Sequence, residues 1–170
     1  MEAAVRKYAN TVYPGMAGKK ALRFIDDNFR NQSWEGQPWK KRKRGDSGRA
    51  LLILRGILRR GNRMQAMPGA VKIFNDVAYA KAHNEGFRGS VNIHAHNRRL
   101  FRKYKTSSIA TRRTANKKQY AGDSNVKDHE RMMNIPRRQF MPTAARPSAT
   151  LNKEIQRQVT LDIYKILKFS

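Results

Sequence analysis

Between Ala17 and Gln32 the chain reads AGKKALRFIDDNFRNQ, and its apolar positions recur with the period of a helix. Leu22, Ile25 and Phe29 fall at i, i+3 and i+7, with Ala21, Phe24 and Asn28 beside them and charged residues on the remaining positions. This predicts an amphipathic helix. Residues 1–13 fit a short amphipathic helix or an arm, and Pro14–Gly15 is expected to interrupt the chain before the helix. Gly36 and Pro38 break it again between Trp34 and Trp39, so the two indoles are expected to anchor that loop on the core or at an interface. The block Leu51–Leu54 fits a buried strand or a helical turn, and periodicity does not separate the two. AVKIFND (70–76) alternates as a strand, with Val71 and Ile73 on one face. VAYAKAHN (77–84) reads as a short helix, and SVNIHAHN (90–97) as a strand with one wet face.

Residues 97–127 are basic and aperiodic and read as a long loop. Ile135 precedes a proline, so MNIPRRQFMP (133–142) is extended. The last stretch, TLNKEIQRQVTLDIYKILKF, predicts a terminal helix with Leu151, Ile155, Val159, Tyr164, Ile166 and Leu167 as its apolar positions. The elements do not alternate regularly. The pattern implies an α+β fold: a small, mainly antiparallel sheet packed with an N-terminal and a C-terminal helix, with a long basic loop inserted. Residues 1–170 are read as one domain, with 1–15 as a candidate arm and 97–127 as the extended loop.

Composition narrows the partners. Lys and Arg number 37 against 12 Asp and Glu, a formal charge of +25 on a chain that is 39% hydrophobic. Such charge opposes compaction and calls for an acidic partner: nucleic acid, an acidic protein surface or an anionic membrane. There is no cysteine, so disulfides and thiolate chemistry are excluded. No apolar run reaches the roughly 20 residues that span a bilayer, and the opening MEAAVRKYAN lacks the apolar core of a secretion signal.

Candidate chemistry is sparse. His83 and Glu85 lie close in sequence, but no nucleophile motif accompanies them, and a general base needs a positioned partner and a cleft. His94 and His96 form H-x-H and would share a strand face, yet a metal needs further ligands, and Asp76, His83 and Glu85 are not fixed near them. Asp26 and Asp27 are adjacent on a helix and point apart, which suits local ion pairs better than catalysis. No cofactor, metal site or catalytic residue is assigned. The basic runs are the stronger signal: Lys40, Lys41, Arg42, Lys43 and Arg44, then Arg59 and Arg60, then Arg98, Arg99, Arg102, Lys103 and Lys105, then Arg112, Arg113, Lys117 and Lys118. Phe101 and Tyr104 lie within the third run, an arrangement that suits stacking on unpaired bases. Acidic protein surfaces would be met equally well by the charge. With a sequence pI of 11.3, an RNA-binding protein of the ribosomal type is the alternative reading.

Taken in order, four motifs resemble those of the phage virion morphogenesis family, the tail-completion or head–tail joining proteins. They are FRNQSWEGQPW ending at Trp39, LRGILRR containing Gly56 and Leu58, YAKAHNEG with Tyr79, Ala80, His83, Asn84 and Gly86, and IPRRQF with Ile135, Pro136, Arg138 and Phe140. The resemblance covers about Phe24 to Phe140. Arg55 and Gln139 depart from the family pattern, which often has Ser or Thr and Pro at those places. The resemblance implies a non-enzymatic virion protein of the neck, forming a commonly sixfold ring between the head connector or adaptor and the tail tube or tail terminator. It implies assembly in the host cytoplasm, no membrane, and a neck channel where genomic DNA is a non-specific contact. On this reading YAKAHNEG is structural: Tyr79 and Ala80 pack the short helix on the sheet, His83 and Asn84 fix the turn, and Gly86 lets the chain reverse.

Overall fold

The computed structural model describes residues 2–42, 48–108 and 113–169. Helices α1 (Glu2–Lys7) and α2 (Tyr13–Asn31) are joined by a π-helical turn at Tyr8–Val12. Tiny strands β1 (Ser33–Trp34) and β2 (Gln37–Pro38) follow, then a one-turn helix α3 (Ile57–Arg60) and the hairpin β3 (Asn62–Met67) and β4 (Ala70–Asn75). Next come α4 (Ala80–Glu85), β5 (Phe87–Ile93), β6 (His96–Ser108), β7 (Arg113–Val126), β8 (His129–Ile135) and α5 (Ala149–Phe169). The fold class is α+β. Among the described residues the strands form four two-stranded sheets, β1–β2, β3–β4, β5–β8 and β6–β7, in place of one larger sheet. Two compact units result: residues 1–87 with 135–170, and residues 88–134.

In the first unit, Pro14 does not interrupt the helix. Lys7, Val12 and Tyr13 all keep right-handed helical dihedrals. A proline lacks the N–H for the carbonyl four residues back, and its ring crowds that carbonyl. The wider π turn just before it, in which the Tyr13 N–H reaches Tyr8 O, keeps the helix running past the proline. Of the two readings of residues 1–13, the helical one forms.

The expected stripe of α2 faces inward: Ala21, Ile25, Asn28 and Phe29 are buried. Gln32 closes the helix in the left-handed conformation, and its N–H bonds Asn28 O. The Gln32 side-chain amide donates to Leu51 O (3.3 Å) and accepts from Leu51 N. That clamp explains the Leu51–Leu54 block, which is neither strand nor helix: it is a turn with Leu52 at φ 62°.

Helix α5 runs antiparallel to the N-terminal helices. Tyr8 Oη donates to Asp162 (2.9 Å), and Lys20 pairs with Glu154 (2.9 Å). Burial, then the bond to Asp162, pushes the Tyr8 hydroxyl up to about 12. Ser148 is the N-cap of α5, its Oγ accepting from Leu151 N (3.0 Å). The same hydroxyl donates to Glu35, which also accepts from Thr150 Oγ1 (2.6 Å), so the β1–β2 turn clamps the start of α5.

In the second unit, the stretch 97–127 corrects the sequence expectation: it is a long antiparallel ribbon, not a loop. β6 and β7 pair from His96↔Val126 to Ser108↔Arg113. The period-2 signal is missing from the sequence because both faces are solvated, so neither face is written in apolar residues. A register shift lies between Arg99 and Phe101, opposite Gly122 at φ 107°.

Candidate functional site

The family-like motifs, distant in sequence, meet around one residue. Phe140 is fully buried, with its ring 5.0 Å from Phe29, and Phe29 in turn meets the edge of Trp39 at 5.6 Å. Ile25, Leu58 and Ala80 complete this core. The Trp39 indole N–H donates to Gln139 O (2.7 Å), so the second tryptophan does anchor its loop on the core. Trp34 packs edge-on against Phe24 at 5.6 Å.

Polar groups tie the same strands of chain together. Asn84 is buried in α4, and its Oδ1 accepts from both Phe140 N and Met141 N at 2.9 Å. Its Nδ2 donates to Met141 O (3.1 Å), so Asn84 ties α4 to the Phe140–Met141 segment. Asn28 Nδ2 donates to Phe140 O (3.1 Å). Arg138 N donates to His83 O (2.8 Å), while its guanidinium donates to Lys40 O (2.9 Å) and Lys41 O (3.4 Å). Burial, then the nearby Arg42, lowers the Arg138 pKa. Gly86 sits at φ 83°, and a Cβ there would meet Arg137 N at 3.1 Å and Ile135 O at 3.3 Å, so any other residue would be strained and tightly packed. Pro136 follows Ile135, the last residue of β8, and is half-buried. Gly56 holds φ 69° at the start of α3.

Sequence reasoning did not single out Asn28, Glu35 or Ser148 for these roles. Ser148 carried a signal, a serine directly ahead of an apolar helical run. Glu35 and Asn28 carried none, because their partners lie more than a hundred residues away. Gln139, where the family pattern often has proline, is buried and donates to Arg146 O (3.1 Å) and Met141 O (3.3 Å).

One detail differs from the expectation for YAKAHNEG. Tyr79 does not pack the helix on a sheet: it is exposed, and its ring stands edge-on to His83 at 5.7 Å. His83 lines a cleft of about 350 Å³ with Leu51, Leu58, Tyr79 and Arg138. Its Nδ1 is buried with no hydrogen-bond partner among the described residues. Burial, then Arg138, lowers its pKa, so the neutral ring is favoured. Glu85 is exposed.

The H-x-H pattern does not lie on one strand. His94 falls between β5 and β6, 3.9 Å from Asp128, whereas His96 opens β6 and its Nδ1 contacts His94 O at 2.9 Å. Asp26 pairs with Arg59 and Arg30, and Asp27 with Arg30, as local ion pairs. The hydrogen bonds from Arg59 hold the Asp26 carboxyl below its ordinary range.

The cationic candidates fall into two places. In the first unit Lys40 and Lys41 are exposed, and Arg42 donates to Arg49 O and Ala50 O (both 3.1 Å). Lys43 and Arg44 lie outside the described residues, as does Arg112. In the second unit Arg98, Arg99, Arg102, Lys103, Lys117 and Lys118 are all exposed on the ribbon. Lys103 lies directly opposite Lys118, and Tyr104 opposite Lys117. Lys105 pairs in register with Asn116, and Arg113 with Ser108. Phe101 and Tyr120 face each other with ring centroids 6.1 Å apart, yet they are 53% and 55% exposed. An aromatic pair this open belongs to no core.

Comparison with protein-family models, with curated protein sequences and with solved structures finds no match to the chain.

Proposed function

We propose that the chain is a non-enzymatic structural protein of the phage neck, a tail-completion or head-to-tail joining component that assembles as a ring between the head connector and the tail. The observation that carries this reading is the convergence of its motifs. Trp39, Leu58, Asn84, Arg138 and Phe140 come from four separate segments whose order resembles that of the family. All are spent on one packed, hydrogen-bonded knot. The motif is therefore a scaffold signature, and the surface built on it is left to partners. Asn84 serves that knot through its side chain and His83 through its carbonyl, which supports reading the segment as structural. In a closed ring each modest interface is multiplied, so weak contacts add to a stable joint. The basic surface of each unit then serves neighbouring subunits, adjacent rings or DNA in the channel.

The test is co-fractionation of the tagged chain in its native context on a density gradient that separates virions from ribosomes. Comigration with intact virions at a few copies per particle is expected. Comigration with ribosomes would overturn the neck reading in favour of RNA binding.

A further inference from the structure

We infer that the β6–β7 ribbon is a double-stranded-DNA-binding element that inserts into a groove of the duplex. The inference stands on the ribbon alone and does not depend on the neck assignment.

Alternation along β6 places Arg99, Phe101 and Lys103 on one face and Arg98, Leu100, Arg102 and Tyr104 on the other. From β7, Lys118 and Tyr120 join the first face and Lys117 the second, by their register opposite Lys103, Phe101 and Tyr104. The first face therefore carries three cations around the Phe101–Tyr120 pair, and the second carries three cations with Tyr104 at one end. Residues 88–134 hold twelve Lys and Arg against three Asp and Glu, and on the two strands only Asp123 lies in register opposite a cation, Arg99, so most of the charge has no internal answer. Among the described residues no ion pair involves any of the six cations. Asp123, the one acid on the two strands, is bonded by Tyr120.

A pair of lysines directly across a ribbon is a repulsive arrangement. It persists here beside exposed aromatics where apolar or oppositely charged pairs would stabilise the hairpin better, which points to a polyanion as the missing partner.

The two-faced distribution selects among polyanions. A patch on an acidic protein would meet one face and leave the other uncompensated. A nucleic-acid groove has a phosphate wall on each side, and the major groove, about 12 Å wide, admits a two-stranded ribbon. The segment Arg98–Tyr104 spans on the order of 20 Å, about six base-pair steps. Its cations meet phosphates and carry no sequence information, so binding is expected to be weakly selective. Leu100, Phe101, Tyr104 and Tyr120 supply apolar contacts to base edges and sugars.

The test uses the full chain and a labelled 20-base-pair duplex, followed by fluorescence anisotropy at several salt concentrations, with circular dichroism to confirm folding. Neutralising one face (Arg99→Gln, Lys103→Gln, Lys118→Gln) or the other (Arg98→Gln, Arg102→Gln, Lys117→Gln) should each weaken binding about ten-fold. Each should also flatten the salt slope by two to three, following the roughly 0.9 per phosphate expected for B-DNA. The Arg157→Gln, Lys165→Gln variant, at exposed positions of α5, should bind within about two-fold of the parent. Loss confined to one face, or a duplex affinity unchanged when both faces are neutralised, would overturn the proposal. So would polyglutamate or a single strand competing as well as unlabelled duplex, the former pointing to an acidic protein partner instead.

Discussion

Asn84 shows how much of this fold rests on single polar side chains. One oxygen serves two backbone N–H groups, the buried one of Phe140 and the part-buried one of Met141, and its amide nitrogen serves a carbonyl. Removing the side chain orphans the buried Phe140 N–H and the part-buried Met141 N–H, and a buried unsatisfied group costs about 1–3 kcal/mol. Asn84→Ala should therefore destabilise the protein by roughly 2–4 kcal/mol, read as a lower midpoint in urea unfolding with an unchanged slope. His83 beside it makes a pH prediction. Burial and Arg138 hold its folded pKa below the ordinary value, so the unfolded chain binds the proton more readily. The stability due to the neutral ring is complete above about pH 6.5 and is lost as pH falls through the folded value. Thermal unfolding should thus show a falling midpoint from pH 7 to pH 5, and His83→Gln should flatten that slope. A slope unaltered in the variant would assign the effect to another group.

At the scale of elements, the cap of α5 is the sharpest case. Ser148→Ala removes the N-cap bond to Leu151 N and the tie to Glu35 together. It should cost about 1–2 kcal/mol, measured by the same urea titration, and Ser148→Asp should recover little, because it sets a second carboxylate against Glu35. Helices α2 and α5 and strand β4 were legible in the sequence because apolar residues recur at the element's own period, although in α5 only Leu151 of them is buried and Tyr164 and Leu167 stay exposed. The ribbon β6–β7 was not, because no core reads it. Leu51–Leu54 misled for the opposite reason: four apolar residues in a row suggest a buried element, yet Gln32 bends them into a turn, and Leu54 stays 70% exposed. Pro14 suggested a break because the compensating π turn has no sequence mark. The knot residues Trp39, Asn84, Arg138 and Phe140 could be named from the motif order, but their mutual contacts could not, since hydrogen bonds across a hundred residues leave no local pattern.

For the whole molecule, the division into two contact units makes the ribbon dispensable to the core. Replacing residues 97–125 with a short Gly/Ser turn should leave the unfolding midpoint of the remaining unit within a few degrees of the parent by calorimetry, while joining of heads to tails is lost. Normal infectious yield from that variant would count against a role for the ribbon in the joint. The knot around Phe140 carries a different consequence, one of time. Asn28 must wait for Phe140, 112 residues later, and Trp39 for Gln139, 100 residues later. At a synthesis rate of about 5–20 residues per second, the apolar stripe of α2 leaves the ribosome roughly 5–20 s before the residues that cover it. The nascent chain therefore carries Ile25 and Phe29 without Phe140 over them in that interval, with only Trp39, Leu58 and Ala80 at hand, together with a growing cationic tail. Its yield in a host should depend on whatever shields that stripe in the interval more than on the stability of the finished fold.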